Sequence, residues 1–60
     1  MVRELAKDIM MLTSNNTSWI LEIMKKYGYL EGLKDWEMAK EARTNLLTKL
    51  SYQLARINLN

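Results

Sequence analysis

LKDWEMAKEARTNLLTKLSYQLARINL, residues 33–59, runs through nearly half of the 60-residue chain without a glycine or a proline. Within it Ala39, Ala42, Leu46, Leu50, Leu54 and Ile57 recur at steps of three or four, with Trp36 extending the stripe upward and Leu47 widening it. That is the period of an amphipathic helix whose apolar face has to be covered. The spacing predicts one long helix over about 33–58. At ~1.5 Å per residue the run would be about 40 Å long, which is long for so short a chain.

Upstream of the run, Gly28 and Gly32 bound a turn, under which Leu30 and Leu33 are expected to tuck. Asp35 suits the cap of the long helix, since its carboxylate can accept from the first free N–H groups. Before the turn, Trp19, Ile20, Ile23, Met24 and Tyr27 form the apolar side of a second helix over about 18–27. Its end is signalled by Lys25 and Lys26, which complement the negative end of the helix dipole. Gly28 suits the left-handed residue that closes a helix, with Tyr29 placed to contact Met24. A first helix is predicted over about 2–13, where Val2, Leu5, Ile9 and Leu12 share a stripe flanked by Ala6 and Met10. Arg3, Glu4, Lys7 and Asp8 are assigned to its opposite, solvated face.

Between these two helices lies TSNNTS, residues 13–18. A helix interior built from such residues would cost roughly 3 kcal/mol, whereas the same residues are good N-caps. The run therefore reads as a break, with Thr17 or Ser18 capping the second helix. A second reading competes with it. Val2, Leu5, Ile9, Leu12, Asn16, Trp19 and Ile23 also fit a heptad, with Asn16 as a buried register device. On that pattern residues 2–27 form one helix and the chain is a two-helix hairpin (2–27, 33–58). Either way the fold class is all-α, a small helical bundle in a single domain spanning residues 1–60.

Composition narrows the function further. With 48% hydrophobic and 27% charged residues the chain belongs with globular proteins, not disordered ones. It has no Cys and no His, so disulfides, thiolate metal sites and the commonest metal ligand are missing. A domain this small buries only ~60% of its unfolded surface, and oligomerisation is the stabilising device left by elimination. No segment approaches a membrane span or a signal peptide. An initiating Met1 on so short a chain suggests a small complete reading frame acting in the cytoplasm. The net charge of +2 argues for no particular partner. Its distribution says more: residues 31–41 carry four acids against two lysines, and residues 42–60 carry Arg43, Lys49 and Arg56 with no acid. Complementing the helix dipole is the simplest use of that asymmetry.

No motif carries catalysis. Ser and Thr have no His to activate them. The acid pairs Glu37/Glu41 and Glu4/Asp8 read as solvated helix surface, and the two glycines are isolated. We expect no enzyme activity, no cofactor and no metal. Short helices cannot cover the whole of the long one, so part of the Leu46, Leu47, Leu50, Leu54, Ile57 stripe is expected to stay open as an oligomer interface, most simply in a two-fold dimer. Of the five Met residues, Met10 and Met24 are expected in the core, and Met11 and Met38 at the surface. Trp19 is expected to be a core anchor.

The function expected is that of a homo-oligomeric interaction module, a small regulator or inhibitor of a larger host protein of the kind phages and mobile elements carry. Trp36, Glu37, Met38, Glu41 and Tyr52 are the candidate partner contacts, with Lys49 and Arg56 beside them. Two alternatives use the basic residues. One is a symmetric RNA- or DNA-binding hairpin, whose face of Lys49, Tyr52, Gln53 and Arg56 resembles, in layout alone, that of small helical-hairpin RNA binders of plasmids. The other sequesters a small anionic nucleotide between subunits against Arg43, Lys49 or Arg56.

Overall fold

A computed structural model describes residues 2–59, leaving Met1 and Asn60 outside the described residues. Three helices follow one another: α1 (Val2–Thr13), α2 (Thr17–Lys26) and α3 (Trp36–Leu59). The described residues contain no strand. The polar run does break the helix, and the two-helix hairpin is not formed.

Three residues of that break, Thr13, Ser14 and Asn16, satisfy backbone groups that a helix end would otherwise leave unpaired. The Ser14 hydroxyl donates to the Met11 carbonyl at 2.7 Å, and Thr13 Oγ1 donates to Met10 O at 3.1 Å. The N-cap of α2 is Asn16, not Thr17 or Ser18: its Oδ1 accepts from Trp19 N at 3.1 Å. Asn16 is thus an exposed cap, not a buried register residue. At its other end α2 closes through Gly28 at φ +76°, with Tyr29 N donating to Met24 O at 2.8 Å and Gly28 N to Lys25 O at 3.1 Å. These are the two reversed bonds of a glycine-terminated helix.

The long helix starts at Trp36, a turn later than the apolar pattern suggests. Gly32 sits at φ +81°, outside helical space, and Leu33 packs against the core from the loop. Asp35 caps α3 as expected, accepting from Met38 N at 2.9 Å. From there α3 extends about 36 Å, which accounts for most of the 38 Å long axis of the molecule.

Leu5, Met11, Leu12, Ile23, Met24, Leu46 and Leu50 form the core, surrounded by half-buried Ile9, Ile20, Tyr27, Tyr29, Leu30, Leu33, Ala42, Leu47 and Leu54. Two expected interface residues, Leu46 and Leu50, are fully buried inside the single chain. Leu47 and Leu54 are half-buried, and only Ile57 of that set is exposed. The stripe is covered further than two short helices can reach. Tyr29, Leu30 and Leu33 add apolar cover that two short helices alone would not supply.

The core-facing side of α1 is also rotated. Met11 and Asp8 turn inward, while Val2 and Met10 turn out. Met11 is therefore core and Met10 surface, the reverse of the expectation, while Met24 is core and Met38 exposed, as expected. Trp19 is 44% exposed and is not a core anchor. On α2 it lies at the edge of the stripe set by Ile20, Ile23, Met24 and Tyr27.

Replacing Leu46 or Leu50 by Ala is expected to cost about 2–5 kcal/mol, and Asn16→Ala about 1 kcal/mol through loss of the cap. Ile57→Ala should stay within about 0.5 kcal/mol, as an exposed change. Urea unfolding followed by far-UV circular dichroism measures all of these. An Ile57 effect equal to that of Leu50 would mean that this stripe is buried in solution by a second chain.

Candidate functional site

Two features of the molecule combine geometry and polar chemistry. The first joins the helix pair α1 and α2. Because the turn at residues 14–16 reverses the chain, the end of α2 returns beside the start of α1. Lys26 Nζ there donates to Asp8 Oδ2 at 2.8 Å and to Glu4 Oε1 at 2.9 Å. The Tyr27 hydroxyl donates to the same Asp8 oxygen. Asp8 is 3% exposed, so this is a buried carboxylate satisfied by one cation and one phenol. Among the described residues no buried side-chain polar atom lacks a partner.

Burial alone would push the Asp8 carboxyl up. The hydrogen bonds from Lys26 and Tyr27, together with the Lys26 charge, outweigh it and hold Asp8 below the usual carboxylate range. Glu4 is held low by its hydrogen bond from Lys26. Lys26 is raised by its bonds to Asp8 and Glu4. Tyr27 is raised by burial and then by its bond to Asp8. Each shift favours the state that keeps the cluster intact, which makes it a structural clamp between α1 and α2. The sequence reading assigned Glu4 and Asp8 to solvated surface. The missed signal is that Asp8 lies three residues after Leu5 and four before Leu12, in line with both on a helix.

The second feature is a groove between α2 and the start of α3. It encloses about 260 Å³ and is lined by Ile20, Leu21 and Met24 of α2, by Trp36, Ala39, Lys40 and Arg43 of α3, and at one end by the polar turn. Trp36 is 65% exposed, yet it stands in line with Leu54, about five turns further along α3. It belongs to the apolar stripe at a point that α1 and α2 do not cover. Arg43 is half-buried in the groove wall, and its Nη1 donates to Leu12 O at 3.3 Å, closing the end of α1. Lys40 carries an exposed ion pair to Glu37 at 3.3 Å. No acid lines the groove.

The candidate contacts predicted from sequence divide between two sides of α3. At about 100° per residue, Met38, Glu41, Lys49, Tyr52 and Arg56 share a face turned away from Leu50. All five are exposed, and the Arg56 guanidinium lies 5.9 Å from the Tyr52 ring centre. Glu37 is exposed at the side of the helix, turned toward Lys40. Trp36 alone of the proposed partner contacts belongs to the groove. Arg43 is likewise separated from Lys49 and Arg56 by roughly a third of the helix circumference, so one subunit does not gather the three cations into a single anion site. The groove residues Ile20, Leu21 and Lys40 were not singled out from sequence. Finding them requires knowing that the loop at residues 27–35 sets the start of α3 beside α2.

Among the described residues no group of three or more His, Cys, Asp or Glu is placed to hold a metal, and no helix is long and apolar enough to cross a membrane. Comparison with protein-family models, with curated proteins and with solved structures returns no match.

The clamp makes stability depend on pH at both extremes. Asp8 and Glu4, held low, contribute stability that is present above their unfolded values near pH 4 and lost as pH falls through the depressed ones. Lys26 and Tyr27, held high, contribute stability that is present below about pH 10 and lost as pH rises through their raised values. The urea midpoint should therefore be flat from about pH 5 to about pH 9 and fall on either side. Tyr27→Phe should cost about 1 kcal/mol at neutral pH and shrink the alkaline fall. An Asp8→Asn variant that kept the wild-type acid limb would show that Asp8 does not contribute to it.

Proposed function

We propose that this chain is a non-enzymatic helical interaction module that docks a larger protein on the groove between α2 and α3 and acts as a small regulator or inhibitor of it. The observation that carries the reading is Trp36. A large aromatic residue stands in line with the core stripe, is left mostly in water, and forms one wall of an apolar groove. Burying a side chain of this size contributes several kcal/mol at ~25 cal/mol per Å², and Trp is typical of the residues that dominate interfaces. Leu21, also exposed, extends the same wall. The mechanism is steric: occupying the partner's surface hinders whatever else binds there. The size and simplicity of the chain suit a phage or mobile-element accessory protein working in the cytoplasm.

Homo-oligomerisation belongs to the proposal in a reduced form. Leu46 and Leu50 are committed to the chain's own core, so a second copy would meet the margin formed by Leu47, Leu54 and Ile57. A second reading is favoured by the outer face of α3, where Lys49, Tyr52 and Arg56 lie together without an acid in that half of the helix. Such a face suits a nucleic-acid backbone, and its binding would weaken steeply with salt and on changing Lys49 and Arg56 to Ala.

Photo-crosslinking separates these readings. Benzoylphenylalanine placed at position 36 faces the groove, and at position 52 it faces outward. In cells that make the protein, a discrete protein adduct from position 36 and none from position 52 is the expected result. Adducts only between copies of the chain would make self-association the function. Adducts to nucleic acid from position 52 would replace the docking reading with the second one.

A further inference from the structure

We infer that the segment seated in the groove is an amphipathic helix carrying a carboxylate beside its apolar anchors, and that Arg43 receives that carboxylate. The inference rests on the groove being the docking site and adds what the site selects.

Size sets the first limit. At about 260 Å³ the space falls below the ~300–1,000 Å³ of pockets that engulf a whole small molecule. It is partly open to solvent between two helices and suits one or two anchoring side chains from a longer segment. Ile20, Leu21, Met24, Trp36 and Ala39 make its apolar surface. Two helices that present such a surface form the kind of groove into which an amphipathic helix lays residues three or four positions apart.

Charge sets the second limit. Two cations and no acid line the groove. Arg43 takes part in none of the ion pairs among the described residues. Its bond to the Leu12 carbonyl engages one N–H of the five a guanidinium carries. That bond ties the group to the end of α1, so little further freedom is lost when it takes a ligand. Half-buried beside apolar side chains, Arg43 is placed where a charge-assisted bond is stronger than in open water. Lys40 is less committed. Its pair with Glu37 is solvent-exposed, a type of contact that contributes little and is readily exchanged for a ligand carboxylate. A basic segment would set its own charges against these two cations, and a purely apolar one would leave Arg43 without a counter-charge.

The test selects peptides from a random 12-residue display library on the immobilised full chain. Leu21→Asp serves as the counter-selection, since Leu21 is exposed and its replacement leaves the core intact. The enriched peptides are expected to share two apolar residues spaced three or four apart, with Asp or Glu within one turn of them. Synthetic versions, titrated by tryptophan fluorescence in Trp19→Phe protein, should lose at least tenfold in affinity when their acids become Asn or Gln. The same loss is expected with Arg43→Gln protein, and a smaller one with Lys40→Glu. The peptide-side change touches nothing in the fold, so it decides the matter if Arg43→Gln loosens α1. Enriched peptides that depend on Leu21 but carry no acid, or keep their affinity when the acid is neutralised, would overturn this inference and leave the docking face standing. Peptides indifferent to Leu21→Asp, or no enrichment at all, would overturn both.

Discussion

The reversal at residues 14–16 is the constraint on which the fold depends. Ser14 closes α1 by donating to Met11 O, and Asn16 opens α2 by accepting from Trp19 N. Together they turn the chain back on itself within three residues. The return brings Lys26 and Tyr27 to Asp8, which is what permits a carboxylate to be buried in a core this small. It also limits the length of what can cover α3. Helices of about 18 and 15 Å lie against one of about 36 Å. Complete cover is out of reach, and Trp36 is left in water at one end and Ile57 at the other. The groove is thus a consequence of the turn, through the short helices the turn enforces.

Local features of the fold were legible in the sequence, and relations between helices were not. The three helices, the break, the glycine closure at Gly28 and the cap at Asp35 each depend on residues within one or two turns of one another. Periodicity and capping chemistry suffice to find them. The errors lie elsewhere. Asp8 looked solvated because its partners come 18 and 19 residues later, on another helix. Trp19 looked like a core anchor because size and apolarity say nothing of which side of α2 faces inward. Leu46 and Leu50 look available when the two short helices alone are counted as cover, whereas the loop residues Tyr29, Leu30 and Leu33 pack on the core as well.

The same distinction applies to the candidate site. Trp36 was picked out by its residue type and position, but its neighbours across the groove, Ile20 and Leu21, were invisible until α2 and α3 were set side by side. Arg43 was grouped with Lys49 and Arg56 because all three are basic and close in sequence. On the folded helix Arg43 looks inward and the other two outward. Charge of one sign along a helix does not make one surface, and here it makes two. The inner one is apolar with a tethered guanidinium. The outer one is open, with Arg56 over Tyr52.

Gly28 and Gly32 leave the loop between α2 and α3 with two residues in the left-handed region and a single helix cap, Asp35, at its far end. The first turn of α3 is held by that cap, by its own backbone bonds and by half-buried Ala39, with Trp36 giving it little tertiary anchorage. Stability in a folded protein is graded, and segments with few buried contacts open locally at far lower cost than the whole unfolds. The start of α3 falls at the low end of that gradient, and its amides would exchange with solvent well before those around Leu46 and Leu50. A segment that settles on Trp36 would then order this turn as it binds, trading away part of its affinity for a surface that adapts to more than one sequence.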